Sequence, residues 1–301
     1  MIAKMRHISI CICTYKRPQF LERLLRELAN QDTEGLFTYS IVVVDNDRAE
    51  SAKDVATRFE RNSNVSVSYF VEPRQNIPLA RNTAISNAIG DYIALIDDDE
   101  FPIKAWLLTL VKACDDCAVD GVLGPVKRYF DEQPPGWVLK GNFYERSTFP
   151  TGTVLEWKNG RTGNALLKKD IFADGEPPFN PEFRASEDQD FFRRMIAKGK
   201  RFVWCDEAVA YEIVPPERWK RTIMLRRALL RGAMARLQPT FGVLDAGKSM
   251  IAVLVYLVAL PFMALLGQHK FMDLLIRLCD HLGKLLAAIG IHPVKEPYVT
   301  E

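Results

Sequence analysis

Residues 8–126 alternate between short apolar runs and longer amphipathic stretches, and this alternation constrains the fold more than any other feature. Five runs have the length and β-branched content of strands, and the segments between them place apolar residues at helical spacing. The predicted strands are 8–13, 39–44, 65–70, 92–96 and 121–126, and the predicted helices are 18–30, 51–61, 78–88 and 105–114. Such alternation indicates an α/β fold with a mostly parallel sheet flanked by helices.

Length and composition favour one large globular core with a C-terminal appendage. The chain has 301 residues, of which 48% are hydrophobic and 26% charged, so disorder is excluded. Most of the six cysteines lie in apolar runs and no cleavable signal peptide precedes Ile8, which predicts reduced thiols in a cytosolic compartment. The Cys114-x-x-Cys117 pair lacks a second pair or a nearby histidine, which disfavours zinc binding.

Polar clusters follow three of the predicted strands. They are Thr14-Tyr15-Lys16-Arg17 after the first strand, Asp45-Asn46-Asp47 after the second and Asp97-Asp98-Asp99 after the fourth. Because the carboxyl ends of parallel strands meet at one edge of a sheet, where α/β folds bind ligands, these clusters are expected to converge. No G-x-G-x-x-G or G-x-x-x-x-G-K-[ST] pattern occurs, which argues against a dinucleotide oxidoreductase and a P-loop nucleotidase.

The aspartate triplet at residues 97–99 is the strongest chemical signal. Three carboxylates at the end of a buried strand are costly unless a cation or hydrogen-bond donors neutralise them. Mn²⁺ and Mg²⁺ take oxygen ligands and bridge protein carboxylates to a nucleotide diphosphate, so the triplet predicts a metal and phosphate site. A solvated acidic turn or a helix-capping cluster before Pro102 is the alternative.

A second acidic cluster begins a predicted helix at residues 186–194. Ser186 as a cap, followed by Glu187, Asp188 and Asp190, suits the positive end of a helix dipole. Capping accounts for one or two carboxylates and less well for three, so one of them is a candidate general base for a hydroxyl nucleophile. Residues 163–167 before this helix are predicted to form a short strand.

Taken together, the motifs resemble family 2 glycosyltransferases of the GT-A fold, over residues 8–211. The matching segments, in the family's order and at similar spacing, are Cys13-Thr14-Tyr15-Lys16-Arg17-Pro18, Val43-Val44-Asp45-Asn46, Ala80-Arg81-Asn82, Asp97-Asp98-Asp99, Gly163-Asn164 and Glu187-Asp188. Within the family, the chain is similar to bacterial exopolysaccharide enzymes. The resemblance implies inverting transfer of a sugar from a nucleoside-diphosphate sugar, with Mn²⁺ or Mg²⁺.

The resemblance also implies a role for individual residues. It implies that the nucleotide sugar is bound by Thr14, Tyr15, Arg17, Asp45, Arg81, Asp97 and Asp98. It implies metal ligation by Asp97 and Asp99 and acceptor binding by Glu187 and Asn164, with Asp188 as the catalytic base. Many relatives place a histidine ligand where this chain has Glu212, so metal ligation by Glu212 stays open.

Three of these residues have simpler interpretations. Asp45 could cap the next helix, Arg81 could pair with a structural carboxylate, and Asn164 could be a turn residue.

The C-terminal residues 215–301 have the pattern of membrane-associating helices. Residues 218–236 hold seven basic residues and no acidic one, and apolar residues at helical spacing make 219–237 a basic amphipathic helix suited to an anionic membrane surface. A solvated helix packed on the core is the alternative. The apolar run 250–266 would form a helix of about 25 Å, short of a ~30 Å hydrocarbon core.

A third apolar stripe, at residues 271–289, carries Arg277 and Lys284 and follows Lys270. These positive charges disfavour export of the C-terminus. We therefore expect interfacial or re-entrant helices rather than a single span.

The sequence thus predicts a GT-A catalytic domain at 1–214 and a helical membrane-associating region at 215–301. The resemblance implies metal-dependent hexosyl transfer from UDP-glucose to a polyprenyl-diphosphate-linked oligosaccharide, in exopolysaccharide or cell-surface polysaccharide biosynthesis. The expected location is the cytoplasmic face of the bacterial inner membrane, against anionic lipids and without a nucleic-acid partner. The alternative is a membrane-bound scaffold that binds nucleotide sugars without turnover. The acceptor hydroxyl and the oligomeric state are left open.

Overall fold

The computed structural model describes residues 5–239 and 241–295, which form two compact units. The first, here called the sheet unit, comprises the described residues of 1–128, 146–181 and 187–213. The second, here called the helical unit, comprises those of 129–145, 182–186 and 214–301. The domain division predicted at residue 214 stays a prediction.

The strands of the described residues belong to two sheets. Their bounds are β1 Arg6–Thr14, β2 Phe37–Asp45, β3 Val67–Val71, β4 Tyr92–Ile96, β5 Glu100–Pro102, β6 Gly121–Leu123, β7 Val126–Tyr129, β8 Asn164–Lys168, β9 Phe202–Trp204 and β10 Ala210–Ile213. The larger sheet has seven strands in the order β3-β2-β1-β4-β8-β6-β9, and the smaller has three in the order β5-β10-β7.

The helices of the same residues have the bounds α1 Pro18–Leu28, α2 Lys53–Asn62, α3 Ile77–Ser86, α4 Trp106–Cys117, α5 Gly136–Gly141, α6 Glu187–Ala197, α7 Arg221–Ala235, α8 Val243–Leu265 and α9 Gln268–Ala288. Of these, α1 to α4 lie within a few residues of their predicted bounds, whereas α8 begins seven residues before the predicted apolar run and α5 was not predicted. Pro18 occupies the first position of α1, where a missing amide hydrogen costs nothing, and Asn76 caps α3 by accepting a hydrogen bond from the Leu79 amide at 3.0 Å.

The predicted α/β fold is confirmed, with a mixed rather than purely parallel sheet. Strand β1 pairs in parallel with β2 and β4, whereas β8 runs antiparallel to both β4 and β6. The single strand predicted at 121–126 is wrong, because the chain turns at Gly124-Pro125 and forms β6 and β7. A Cβ at Gly124 would lie 2.3 Å from the Ala208 carbonyl oxygen, so only glycine fits this turn.

Both faces of the larger sheet are buried, which fixes the register of its strands. Ile8, Ile10 and Ile12 of β1 belong to one apolar cluster, together with buried leucines of α1. Cys11 of β1 belongs to the opposite cluster, together with Ala84 of α3. A slip of one residue would exchange these faces, so the register is strongly specified and aligns the strand ends, with Thr14 beside Asp45.

In the helical unit, α9 packs against both α7 and α8. A Cβ added at Gly232 of α7 would lie 2.0 Å from the Asp280 carbonyl oxygen, and one at Gly283 of α9 would lie 2.2 Å from the Leu229 carbonyl oxygen. The two glycines therefore allow the backbones of α7 and α9 to touch. This contact determines how closely the apolar faces of the two helices approach.

The contact between α7 and α9 corrects one prediction. Ile223, Leu230 and Met234 are buried, and the last two pack with Ala287 of α9 inside the helical unit. The apolar face of the basic helix therefore packs on protein and not on a membrane, as the alternative interpretation of residues 219–237 held.

Helix α8 differs, because most of its large apolar side chains are exposed. Leu244, Val258 and Leu265 are 80%, 70% and 86% exposed. Among the described residues, α8 is the one helix long and apolar enough to cross a membrane by length and composition.

We predict that Gly283→Ala lowers the free energy of unfolding by about 1–3 kcal/mol, because the added methyl group separates α9 from α7. Urea denaturation of the full chain, followed by circular dichroism, measures the change. Gly247→Ala in α8 is the matched control, because nothing lies within 4 Å of its Cβ position. It should raise stability by about 0.5–1 kcal/mol through helix propensity, and equal effects of both variants would contradict close contact at Gly283.

Candidate active site

The ends of β1 and β4, which are neighbouring strands, bring together one group of predicted site residues. The Thr14 hydroxyl donates to Asp98 Oδ2 at 2.8 Å, and Arg17 Nη1 donates to Asp98 Oδ1 at 3.2 Å and Asp99 Oδ2 at 3.0 Å. Both aspartate side chains are at most 7% exposed. The predicted convergence of the first and fourth strand ends is therefore present in the structure.

Local backbone geometry turns Arg17 toward these carboxylates. Lys16 has a φ of 54°, a left-handed conformation that reverses the chain between the end of β1 and the start of α1. Arg17 precedes Pro18 and makes no side-chain cap to α1, so its guanidinium reaches the carboxylates. Tyr15 is half-buried at the same turn, with Lys16 Nζ 5.2 Å from the centre of its ring.

Arg81 of α3 joins the first acidic cluster to the second. Its Nη2 donates to Asp97 Oδ1 at 3.0 Å, and its Nη1 donates to Glu187 Oε1 at the start of α6. The arginine is 9% exposed, and its guanidinium carbon lies 5.7 Å from the centre of the Phe179 ring. One buried cation therefore connects two sequence motifs that are 90 residues apart.

Hydrogen bonds from the end of β2 hold the helix that carries Arg81. The Asn46 side chain donates to the carbonyl oxygens of Glu72 and Arg74, and its Oδ1 accepts from the Asn76 amide at 2.8 Å. Asn76 in turn caps α3. The start of α3 is therefore fixed at the ligand-binding edge of the sheet.

Burial and neighbouring charges shift the pKa values of Arg81 and of the carboxyl groups near it. Burial opposes its charge, but Glu187 and Asp97 outweigh this effect and raise the pKa of Arg81 above its ordinary value. Burial raises the pKa of Glu187 although Arg81 counteracts it. Burial, opposed by Arg17 and reinforced by Asp99, also raises the pKa of Asp98 to about 7. For both carboxyl groups, the effect of burial on the pKa is therefore larger than the opposing effect of the neighbouring arginine.

The two aspartates of α6 have different surroundings. Asp188 is 16% exposed, accepts a hydrogen bond from the Gln189 amide at 2.7 Å and lies 4.0 Å from the Arg161 guanidinium. Asp190 is 4% exposed and forms ion pairs of 2.7 and 2.8 Å with Arg193 and Arg194 of its own helix. Asp190 therefore supports α6, whereas Asp188 has a longer ion pair, to Arg161, and contributes to the charge around Arg81.

Two predicted site residues are committed to the fold. Asp45 is fully buried and accepts hydrogen bonds from the amides of Asp47 and Ala52 and from the Tyr69 hydroxyl. Asn164 is 1% exposed, accepts from the Trp106 indole and donates to the carbonyl oxygens of Pro125 and Ala208. Both side chains therefore have structural partners, and their predicted nucleotide and acceptor contacts stay predictions.

Glu187 also has a structural partner. Its Oε1 accepts from Arg81, and its side chain is 9% exposed. Its predicted contact with the acceptor stays a prediction. Ser186, immediately before it, has a φ of 63° and not the extended conformation of an ordinary N-cap.

A third charged group is formed by Glu212, whose metal ligation the sequence left open, together with Glu100 and Arg146, which the sequence did not single out. Glu212 of β10 is paired in register with Glu100 of β5, and Arg146 Nη2 lies 2.6 Å from Glu212 Oε2. Glu100 Oε1 is buried without a hydrogen-bond partner, and a Cβ at Gly163 would lie 2.5 Å from it. Burial, reinforced by Asp97, raises the pKa of Glu100 well above its usual value.

A sequence signal existed for only part of this group. Glu100 directly follows the aspartate triplet, and an acidic residue there extends the cluster that had been recognised. Arg146 lies in an irregular segment with no periodicity, so only the tertiary structure could place it beside Glu212.

The residues at the end of β4 fit a divalent cation by donor type. Asp97 and Asp99 offer carboxylate oxygens, and the side chain of Asp97 is 42% exposed. Within residues 5–239 and 241–295, no three Asp, Glu, His or Cys side chains form a group that could hold a metal ion. This is compatible with Mg²⁺, which is commonly held by one or two carboxylates together with substrate phosphates and water.

The sequence model described as "Glycosyl transferase family 2" matches residues 9–174, more than half of the chain. The chain belongs to glycosyltransferase family 2. The succinoglycan biosynthesis protein ExoM of Rhizobium meliloti (strain 1021) is 32% identical over 228 residues, which cover 75% of this chain and 73% of that protein. The predicted resemblance to this family and to an exopolysaccharide enzyme is confirmed.

Other similar proteins are more distant. The poly(ribitol-phosphate) beta-N-acetylglucosaminyltransferase TarS of Staphylococcus aureus (strain MW2) is 24% identical over 210 residues, which cover 69% of this chain and 35% of that protein. The structure of S. aureus TarS 1-349 in complex with UDP-GlcNAc has a TM-score of 0.54 at 18% identity, covering 96% of this chain and 93% of that one.

A second solved structure supports the same fold. The mannosyltransferase PcManGT of Pyrobaculum calidifontis, in complex with GDP-Man and Mn²⁺, has a TM-score of 0.61 at 16% identity. The match covers 97% of this chain and 77% of that one. At such identity the similarity shows the fold, which is that of GT-A glycosyltransferases.

We predict that Arg81→Met lowers the free energy of unfolding by about 3 kcal/mol, because it leaves the buried Glu187 carboxylate uncompensated. Arg74→Met is the matched control, since Arg74 pairs with Glu72 but its side chain is 72% exposed, and it should cost less than about 1 kcal/mol. Urea denaturation compares the variants. Adding Glu187→Gln to Arg81→Met should recover part of the loss, and an absence of recovery would contradict charge compensation as the cause.

Proposed function

We propose that this protein is an inverting glycosyltransferase that moves a sugar from a UDP-sugar to a hydroxyl group of a lipid-linked oligosaccharide. The observation that carries the proposal is the Arg81 bridge, which holds Asp97 of the donor motif and Glu187, the neighbour of Asp188, on one guanidinium. This bridge supports the proposal, because a displacement at a sugar carbon requires the donor site and the base to lie side by side.

The nucleotide sugar would bind at the ends of β1 and β4. Thr14, Tyr15 and Arg17 would contact the nucleotide, with Asp98 oriented by the Thr14 hydroxyl. Solved neighbours bind UDP-GlcNAc and GDP-Man, which supports a nucleotide-sugar donor. Glucose is supported by two similar proteins described as glucosyltransferases, a GalNAc(5)-diNAcBac-PP-undecaprenol beta-1,3-glucosyltransferase and a poly(ribitol-phosphate) beta-glucosyltransferase.

Asp97 and Asp99 would hold a Mn²⁺ or Mg²⁺ ion together with the donor diphosphate. The cation would stabilise the negative charge of the departing UDP. Arg17 and Arg81 already contact these carboxylates and would keep them oriented while the donor binds.

Asp188 would act as the general base. Its carboxylate would take the proton from the acceptor hydroxyl as that oxygen bonds to the anomeric carbon and the bond to UDP breaks on the opposite face of the sugar. Because the hydroxyl attacks the face of the sugar that points away from the departing UDP, the anomeric configuration is inverted. The Arg81–Glu187 pair would fix the first turn of α6, which carries Asp188, so that the base keeps its position.

A lipid-linked acceptor agrees with the helical unit and with the similar proteins. Helix α8 exposes a long apolar surface, and one similar protein is described as acting on an undecaprenol-diphosphate-linked glycan. ExoM is described as a succinoglycan biosynthesis protein, which supports a role in exopolysaccharide or cell-surface polysaccharide synthesis. We place the enzyme at the cytoplasmic face of the bacterial inner membrane, where nucleotide sugars are available.

We expect Asp188→Asn to lower kcat by about 10²–10⁴-fold while UDP affinity is retained, because it removes the base and leaves donor contacts intact. Asp190→Asn, the matched control, should lower thermal stability and keep kcat within about tenfold. The assay uses radiolabelled UDP-glucose with membrane lipid extract as acceptor. A larger kcat loss at Asp190 would move the base there, whereas wild-type protein that binds UDP but never turns over would favour the scaffold alternative.

Removal of divalent metal with EDTA should abolish transfer, and Mn²⁺ or Mg²⁺ should restore it. In calorimetry, Asp99→Asn should weaken metal-dependent UDP binding by about tenfold or more, since a carboxylate ligand is lost. Asp54→Asn on the exposed surface of α2 is the control and should bind UDP as the wild type does. Equal and metal-independent UDP affinity in all three proteins would overturn the assignment of Asp99.

A further inference from the structure

Helix α8 has two faces with opposite surroundings. The apolar outer face is defined by six residues, each 61–86% exposed: Leu244, Ile251, Leu254, Val258, Phe262 and Leu265. Their spacing of three, four or seven residues forms one stripe along the helix. The opposite face carries Ser249, which is 2% exposed, and Tyr256, whose ring lies 5.7 Å from that of His281 in α9. Only one face of α8 is therefore open to a partner.

Helices α8 and α9 form a tight antiparallel hairpin. Only Leu266 and Gly267 separate them, and Gly267 has a φ of 115°, which permits the reversal. The contact between Tyr256 and His281 lies near the middle of both helices. Any position that α8 takes in a bilayer is therefore shared by the adjacent part of α9.

Helix α9 is unsuited to the hydrocarbon core. Asp280 is level with the middle of α8 and forms an ion pair of 2.6 Å with Arg231 of α7. Asp280 Oδ1 and His281 Nδ1 are buried without hydrogen-bond partners. Charged groups at the centre of a bilayer are strongly disfavoured. A transmembrane α8 would carry these groups inward or would have to leave α9, which the Gly232 and Gly283 contacts hold against α7.

The charges around α8 fit an anionic surface. Residues 246–272 contain Lys248, His269 and Lys270, with Asp245 directly before and Asp273 directly after them, and Lys248 Nζ lies 3.9 Å from Asp245 Oδ1. The Lys248 side chain is 77% exposed near the start of α8, and Lys270 is exposed just beyond its end. Lysines at both ends of an apolar stripe are placed to reach lipid phosphates while the stripe enters the acyl chains.

We propose that the protein attaches to anionic bilayers through the apolar outer face of α8, which lies in the plane of the membrane and does not cross it. This deepens the membrane attachment put forward with the proposed function, and it depends on neither the donor sugar nor turnover. A lipid surface is the partner because the face is a single long apolar stripe with basic ends, which fits the boundary between headgroups and acyl chains.

The first test measures binding of the full chain to vesicles of phosphatidylcholine and phosphatidylglycerol by co-sedimentation. The double variant Leu254→Glu/Val258→Glu should lower the apparent affinity by at least about tenfold. Ile89→Glu/Val154→Glu is the matched control, since these residues of the sheet unit are 74% and 58% exposed, and it should bind as the wild type does. UDP affinity and melting temperature establish that each variant is folded.

The second test separates a helix in the membrane plane from a spanning helix. Cysteines are introduced one at a time at positions 244, 251, 258 and 265 of a chain whose six native cysteines are replaced by alanine and which still binds UDP. They are spin-labelled, and accessibility to oxygen and to a nickel chelate measures their depth in the same vesicles. An in-plane helix gives similar shallow depths at all four positions. A spanning helix gives a depth that is greatest near 258 and small at both ends.

The outcomes are distinct from those of the transferase assays. Loss of vesicle binding in the α8 variant together with uniform shallow depth supports the proposal, whether or not transfer is observed. Unchanged binding in that variant, or a depth maximum near position 258, overturns it. The proposal is also overturned if the wild-type protein does not bind vesicles but forms a dimer that the double variant cannot form. That result would assign the apolar outer face of α8 to a second copy of the chain.

Discussion

The candidate site depends on the two ion pairs that the Arg81 guanidinium forms with Asp97 and Glu187. A buried cation is stable only when carboxylates surround it, and a buried carboxylate such as Glu187 is stable only when a cation meets it. Arg81 satisfies both conditions by bonding to Asp97 at the end of β4 and to Glu187 at the start of α6. The positions of two acidic motifs are thereby coupled, so a shift of either motif would leave a charge unpaired.

The framework around this bridge follows from the sheet. Since both faces of the larger sheet are buried, its register is fixed and Thr14, at the end of β1, meets the residues that follow β4. At the same edge, burial raises the pKa of Asp98, although Arg17 opposes this effect. Clustered carboxylates at the carboxyl end of a parallel sheet favour a cation and a phosphate-bearing substrate, as the proposed function requires.

In the helical unit, the three apolar helices differ in how much of their apolar surface is exposed, and composition alone does not predict this difference. Helices α7, α8 and α9 are each apolar on at least one face. The apolar face of α7 is buried against α9, because glycines allow the two helices to come into close contact. Helix α9 packs against both other helices, and its large apolar side chains are buried or half-buried. Helix α8 therefore retains the largest exposed apolar stripe, and its hairpin with a charged helix restricts how deeply that stripe can enter a bilayer.

The sequence by itself determined the elements whose signals are local. The spacing of apolar residues, together with the turn and cap residues between them, predicted β1 to β4 and α1 to α4 within a few residues. The ordered motifs identified the family, because strand ends and acidic clusters can be recognised in a few consecutive residues. Only the tertiary structure decided which partners each polar side chain has. Asp45 and Asn164 matched the motifs, and the structure adds that both form hydrogen bonds within the fold. Arg146 had no local signal and contacts Glu212, which is 66 residues away in the sequence. Burial and partners of a side chain depend on distant segments of the chain, which a local pattern does not contain.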